Sequence, residues 1–271
     1  MKIKNVLSAA AWCAASVLAL SSCSKEQESV KPVAQDEISQ TVISQIKAMG
    51  LTTQDMKRVD GGYLVEGDIV ITDENLANAP EYQMLRIGNE EQYRTSNLVS
   101  VGSGRTISLR VSTSLPSAYV TATDELIRRY NAQGLLIRFT RVTSGGNIVL
   151  TAAPSGSGYL ASAGFPSGGN PYNLIQVNSG AIGTANASTY IATILAHEVG
   201  HCIGFRHTDY MDRSYSCGGA FTNEGASTVG AIYIPGTPTT ANAGSWMLAC
   251  VGSGVNRPFT SSDVTALRYV Y

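Results

Sequence analysis

The sequence predicts an α/β (α+β) protein built on a mixed, twisted sheet. Three observations carry this. From Arg105 a strand-like alternation gives way to a helical period and then to several short aliphatic runs. Residues 188–203, with Asn186 or Ser188 as the expected cap, have a helical period and are apolar on nearly every side, the mark of a buried helix. From Thr260 the chain ends in a capped amphipathic helix. The 271 residues, 44% of them hydrophobic, suffice for one sizeable core or two small ones. With a formal charge of −1 and scattered Arg and Lys, no basic field exists to gather phosphates, so no nucleic-acid partner is expected.

The first residues bear on compartment. Lys2 and Lys4 precede an apolar run over 6–20, too short for a comfortable membrane span, and the pattern is that of a signal peptide over 1–22. Leu20-Ser21-Ser22-Cys23 resembles a bacterial lipobox, which makes Cys23 the expected lipid-modified residue and the membrane anchor. An ordinary signal peptide is the alternative. Residues 23–35, opening with Ser24-Lys25-Glu26-Gln27-Glu28, read as a polar tether. The expected location is the bacterial cell envelope, lipid-anchored at the outer membrane or cell surface.

Beyond the tether, Ile38, Val42, Ile43, Ile46 and Met49 recur at helical spacing before Gly50. Residues 63–71 read as strand interrupted at Gly67-Asp68, 72–79 as a short helix before Pro80, and the irregular stretch 88–104 as a linker. Then follow a strand over 106–111, a helix over 118–132, strands over 135–142 and 147–152, a small-residue edge strand over 158–165 and a strand over 173–178. Cys202, Cys217 and Cys250 remain once Cys13 and Cys23 are set aside, enough for one bridge in an oxidising compartment. Cys217 with Cys250 is favoured, because Cys202 falls inside the buried helix.

That helix carries the chemistry. In His197-Glu198-Val199-Gly200-His201 two imidazoles stand one turn apart on one side and can share an ion. Glu198 lies about 100° around the helix from His197, where it can approach a metal-bound water without being a ligand. Gly204 permits a sharp turn, after which His207 can return to the same ion. Three neutral nitrogens with an open fourth position describe a catalytic zinc site, since closed structural sites favour cysteines. The chain has only three histidines, and all three fall in this segment.

Residues 197–207, H-E-V-G-H-C-I-G-F-R-H, fit the H-E-x-x-H-x-x-G-x-x-H signature of metzincins. Through Thr208-Asp209 the stretch resembles the dual-action HEIGH metallopeptidases, with Val199 where that name has Ile. The resemblance runs from about residue 36 to the C-terminus. It implies a zincin fold with two main helices, a C-terminal subdomain with a methionine turn and a final helix, and a catalytic domain over 105–271. It also implies one catalytic zinc held by His197, His201 and His207, Glu198 as general base, and protein or peptide substrates. Met247 in Ser245-Trp246-Met247-Leu248 is the candidate for the methionine turn. Because Ala249 stands where some metzincins carry a ligating tyrosine, a stabilising tyrosine must come from elsewhere, with Tyr210, Tyr215 and Tyr233 unranked. Asp209 is either an orienting group for His207 or a solvated loop residue. Glu224 and residues 234–238 read as loop.

The leading expectation is therefore an envelope zinc endopeptidase, probing extended substrates along the 158–165 edge, and monomeric. The alternatives are a catalytically degenerate, lipid-anchored zinc-containing binding module and a non-peptidase zinc hydrolase. Residues 36–104 are expected to form a pro-segment and linker. Within it, Val65-Glu66-Gly67-Asp68-Ile69 resembles the astacin pro-segment motif F-x-G-D, which makes Asp68 the candidate zinc-blocking residue; a solvated Gly-Asp turn is the competing reading. Cleavage after Arg94 or Arg105 would then free the catalytic domain.

Overall fold

The computed structural model describes residues 38–49, 51–77, 92–224 and 231–271. The expected signal peptide, the expected tether and Cys23 lie outside the described residues.

Residues 38–271 form one compact unit. Its first part holds α1 (Gln40–Ala48), the antiparallel strands β1 (Lys57–Val59), β2 (Gly62–Val65) and β3 (Ile69–Thr72), and the short α2 (Asp73–Ala77). The stretch read as one interrupted strand is thus a hairpin, with Val65 opposite Ile69 and Glu66, Gly67 and Asp68 at its tip. Ser39 caps α1 through its side chain. Ile46, Met49 and Leu51 pack with Val65, Ile69 and Ile71 into a separate small core, closed by Phe165 from the larger part of the molecule.

The larger part begins with β4 (Tyr93–Arg94), β5 (Arg105–Val111), α3 (Ala118–Asn131), β6 (Ile137–Val142) and β7 (Ile148–Ala152). There follow β8 (Ala161–Ser162), β9 (Leu174–Val177), α4 (Ser179–Ile182), α5 (Ser188–Cys202), α6 (Ser214–Cys217), β10 (Ile232–Tyr233) and α7 (Ser261–Val270). The main sheet has the order β6-β5-β7-β9-β8, parallel except for the antiparallel edge strand β8. Ile107 and Leu109 of β5, Leu150 of β7 and Ile175 of β9 turn one face of this sheet onto α3 and α5, where Leu126, Ile191 and Leu195 are fully buried. Each such aliphatic side chain contributes roughly 1.5–3 kcal/mol by leaving water. The capping box predicted at Thr260 is present: Thr260 Oγ1 accepts from the Asp263 amide and an Asp263 carboxylate oxygen accepts from the Thr260 amide.

Two sequence expectations need correction. The cap foreseen for α5 at Asn186 or Ser188 is absent: Ala187 holds the N-cap position with no side-chain bond. Tertiary packing replaces it, since every residue from Tyr190 to Cys202 is buried, and packing supplies most of a helix's stability. The stretch 88–104 is no loose linker where it is described. Gln92, Tyr93, Thr95 and Val99 are buried, β4 pairs with β10, and the Thr95 amide donates to the Gly204 carbonyl at 2.8 Å. Arg94 and Arg105, proposed as cleavage points, both lie in hydrogen-bonded strands. The low hydrophobicity of this stretch hid its burial, because its polar groups are satisfied inside the fold.

Cys217 and Cys250 form a disulfide, and Cys202 stays a buried thiol on α5.

Candidate active site

Helix α5 sets His197 and His201 side by side, with their Nε2 atoms 3.0 Å apart. The helix ends at Cys202, and the chain turns at Gly204, whose φ of +106° places it in the left-handed region. A Cβ there would lie 2.8 Å from Leu98 and 3.0 Å from the Asn97 carbonyl, so glycine is required on both counts. The turn brings His207 back until its Nε2 is 3.2 Å from that of His201.

The other nitrogen of each ring is spoken for. His197 Nδ1 lies 2.9 Å from the Trp246 carbonyl, His201 Nδ1 2.8 Å from the Phe205 carbonyl, and His207 Nδ1 2.9 Å from Glu224 Oε1. All three partners only accept hydrogen bonds, so Nδ1 carries the proton in each ring and the neutral form turns its Nε2 lone pair inward. Three lone pairs aimed at one point repel each other unless a cation sits among them. Bonds of about 2.05 Å to a tetrahedral zinc would put the nitrogens about 3.3 Å apart, close to what is found.

Asp68, at the tip of the β2–β3 hairpin, completes the group. Its Oδ2 lies 3.2 Å from His207 Nε2 and 3.4 Å from His197 Nε2, and the four side chains offer donor atoms all within 4.8 Å of one another. Two buried carboxylate oxygens beside the histidines, Asp68 Oδ1 and Glu198 Oε2, have no hydrogen-bond partner. Orphaned acceptors next to converging imidazoles fit a cation and its water.

Electrostatics agree. Burial alone would raise the Asp68 pKa, but the charge of His207 and hydrogen bonds from His197 and His207 outweigh it and hold the carboxyl well below its ordinary value. Burial and the neighbouring Asp68 push Glu198 well above the usual carboxylate range. Burial opposes a charge on His207, yet Asp68 and Glu224 hold its pKa well above normal, so this corner favours positive charge, whether proton or metal.

The hairpin tip is held under strain. Glu66 has φ +55° and Gly67 φ +90°. A non-glycine residue in the left-handed region costs on the order of 1 kcal/mol and persists only where its surroundings impose it. Here Glu66 is buried, accepts from the Thr52 amide at 3.1 Å and meets Arg206 Nη2 at 3.3 Å. Two main-chain bonds dock the hairpin on the main sheet beside β8: the Ala163 amide donates to the Asp68 carbonyl at 2.9 Å and the Val70 amide to the Ala163 carbonyl at 2.6 Å.

Met247 is fully buried directly beneath the helix: a Cβ on Gly200 would come within 2.4 Å of its Sδ. The Met247 carbonyl accepts from the Thr208 amide at 3.0 Å, tying this segment to the turn carrying His207. Asp209 orients no histidine. It accepts from Ser216 Oγ and from the Ala249 amide, and so joins the loop after His207 to the Met247 segment. Glu224, read as loop, is instead the partner of His207 Nδ1 and lies 3.0 Å from Arg213 Nε. Its one sequence signal is that no other acidic residue occurs between Asp212 and Asp263. Of the candidate tyrosines, Tyr210 is buried with its ring against Tyr93, Tyr233 donates to the Thr237 carbonyl, and Tyr215 is exposed. The cavity beside His197 and Glu198 is lined by none of them.

A family model described as dual-action HEIGH metallo-peptidase matches residues 63–271. The chain belongs to the dual-action HEIGH metallopeptidase family. As a HEIGH metallopeptidase it is a zinc-dependent peptidase with protein or peptide substrates, and the histidine cluster is a group able to hold the metal. The match begins at Tyr63 and so includes the hairpin that carries Asp68. Among solved structures, two of myroilysin align at TM-score 0.38 and 14% identity over 63% of this chain, and over 81% and 84% of theirs. High choriolytic enzyme 1, a hatching enzyme zinc-protease from the medaka fish Oryzias latipes, aligns at TM-score 0.35 and 13% identity over 63% of this chain and 91% of its own. No curated protein sequence matches the HEIGH metallopeptidase chain.

Proposed function

We propose that this HEIGH metallopeptidase is an endopeptidase of the bacterial envelope, lipid-anchored through Cys23 and held latent by its own N-terminal segment. In this reading His197, His201 and His207 hold the catalytic zinc, Glu198 is the general base, and Asp68 blocks the fourth position. The observation that carries it is the convergence of three Nε2 atoms, each with its Nδ1 fixed by an acceptor, on one carboxylate oxygen from a distant hairpin.

When bound, the zinc supplies Lewis acidity at the scissile carbonyl and lowers the pKa of the attacking water. The chain supplies the rest. Glu198, buried beside His197 with one carboxylate oxygen lacking a hydrogen-bond partner, accepts a proton from the water and returns it to the leaving amine. Substrate lies along the β8 edge, adding main-chain bonds to the sheet. The hairpin engages both the amide and the carbonyl of Ala163 on that edge, and so competes for the same backbone groups. A tethered carboxylate gains a high effective concentration, which favours latency without tight intrinsic affinity.

The division we favour is a signal peptide over 1–22, a tether over 23–35, a pro-segment ending before Gln92 and a catalytic unit from there to Tyr271. Activation then requires a cut between Ala77 and Gln92, which leaves the anchor with the pro-segment.

The test uses the full chain with Cys23→Ser. His197→Ala, His201→Ala and His207→Ala should each lose zinc, while Glu198→Ala keeps zinc and loses cleavage of a denatured protein. Asp68→Ala should be active before any proteolysis. Zinc loss in Glu198→Ala but not in His207→Ala would overturn the assigned roles, and equal activity with and without Asp68 would remove the latency.

A further inference from the structure

Beside the histidines a cavity of about 280 Å³ opens, with His197 and Glu198 at its catalytic end. Leu160, Ile194, Leu248 and Val251 give it apolar walls, and two arginines, Arg213 and Arg257, reach it. The two cations differ in one respect. Arg213 is matched by Glu224 at 3.0 Å, whereas Arg257 has no carboxylate within 4.0 Å among the described residues. Asp209 and Asp263 act on Arg257 only from farther off, and both are engaged: Asp209 with Ser216 and Ala249, Asp263 with Gln92, Ser245 and Thr260.

Arg257 is also held in place before any ligand arrives. Its amide donates to Thr193 Oγ1 at 2.9 Å, its carbonyl accepts from Arg129, and its Nη1 donates to the Cys250 carbonyl at 2.8 Å. Its Nε is buried with no partner. A guanidinium has five N–H donors in a rigid fork that matches a carboxylate, and here one bond is spent on a carbonyl. A half-buried cation with spare donors, in an apolar cavity adjoining the catalytic groups, is complementary to an anionic side chain.

We infer that this cavity is a subsite for an acidic side chain, so that the peptidase cleaves next to aspartate or glutamate, with Arg257 as the residue that selects it. The inference rests on the endopeptidase reading above and adds a substrate class to it. A neutral isostere such as asparagine fills the same volume but leaves the cation unmatched, which is the kind of difference a site built for a polar group discriminates strongly.

The experiment profiles cleavage of a proteome-derived peptide library by the whole Cys23→Ser chain, both as Asp68→Ala and after limited proteolysis without separation of the fragments. Matched peptides differing only as Asp against Asn, or Glu against Gln, at the enriched position are then compared. Acidic residues should be enriched at one position flanking the scissile bond, and kcat/KM for the acidic member should exceed that for its amide by about tenfold or more. Arg257→Gln should bring the ratio towards one and Arg257→Lys should keep part of it; a ratio within one preparation is independent of how much enzyme is folded. If Arg257→Gln does not fold, the wild-type profile and ratio still decide. Cleavage with no acidic enrichment, with apolar enrichment, or with an unchanged ratio in Arg257→Gln overturns the subsite and leaves the endopeptidase intact. Absence of cleavage by both forms removes the endopeptidase reading, and this inference with it.

Discussion

Glu224→Ala tests whether the third histidine depends on a carboxylate 17 residues away along the chain. Glu224 is wholly buried, with its two oxygens 2.9 and 3.2 Å from His207 Nδ1, 3.0 Å from Arg213 Nε at the nearest and 3.8 Å from Arg206 Nη2. Loss of such an outer partner typically weakens metal binding about 10–100-fold, which is about 1.4–2.7 kcal/mol. The same change strips a buried ion pair of one member, at a cost to folding of about 3–5 kcal/mol, moderated here because Arg213 can regain some water. Glu224→Gln separates the two effects: its amide oxygen can still accept from Nδ1, so metal affinity should fall less than tenfold. Zinc competition against a chromophoric chelator measures the first quantity, and urea unfolding of the metal-free protein the second. A folded Glu224→Ala protein that binds zinc as tightly as wild type would refute the argument.

Three further outcomes follow from packing and charge. Gly200→Ala gains about 1 kcal/mol of helix propensity but drives a methyl into Met247 Sδ, whose buried side chain has little room to yield; overpacking of about 1–3 kcal/mol should win, and an unchanged denaturation midpoint would count against it. Cys217→Ser opens a loop of 33 residues and should cost about 3–4 kcal/mol if the bridge acts through the unfolded chain, read as the shift in urea midpoint between oxidised wild type and variant. The Glu125 carboxyl, held by hydrogen bonds from Arg128 and Arg129, has its pKa lowered from 4.5 to about 2. A depressed acid stabilises above its unfolded pKa and loses that contribution as pH falls through the folded one. Glu125→Gln should therefore be less stable at pH 7, by no more than about 1 kcal/mol after solvent screening, with the gap closing between about pH 4.5 and 2; a gap that persists at pH 2 would be inconsistent with this.

The parts of the site legible in the sequence are those that local geometry fixes. A 3.6-residue period puts His197 and His201 on one side of α5, and the glycine at 204 announces the turn that returns His207. Strand and helix periods likewise outlined the main sheet, α3 and α7. What stayed hidden depends on segments that meet only after folding. Glu224 reads as loop because nothing near it reveals that His207 Nδ1 needs an acceptor. Gln92 and Thr95 read as linker because polar residues are buried at low cost only where partners from elsewhere satisfy them: Asp263 and Ser245 for the first, the Gly204 carbonyl for the second. The missing cap of α5 has the same origin, since a helix buried from Tyr190 onward does not need the local signal that an exposed one requires.

The burial of residues 92–99 has a practical consequence for anyone trimming this protein. A truncation starting at Arg105 looks natural from the sequence, but it would strip β10 of its only strand partner among the described residues. It would also leave Asp263 without the Gln92 amide and Gly204 without the Thr95 amide, two bonds that brace the floor and the rim of the zinc pocket. The Val99 amide, which donates to the Tyr271 hydroxyl, would go too, and with it one anchor of the chain's last residue. A soluble but misassembled fragment would then be mistaken for an inactive enzyme, so even the latest safe starting point for recombinant work lies upstream of Gln92.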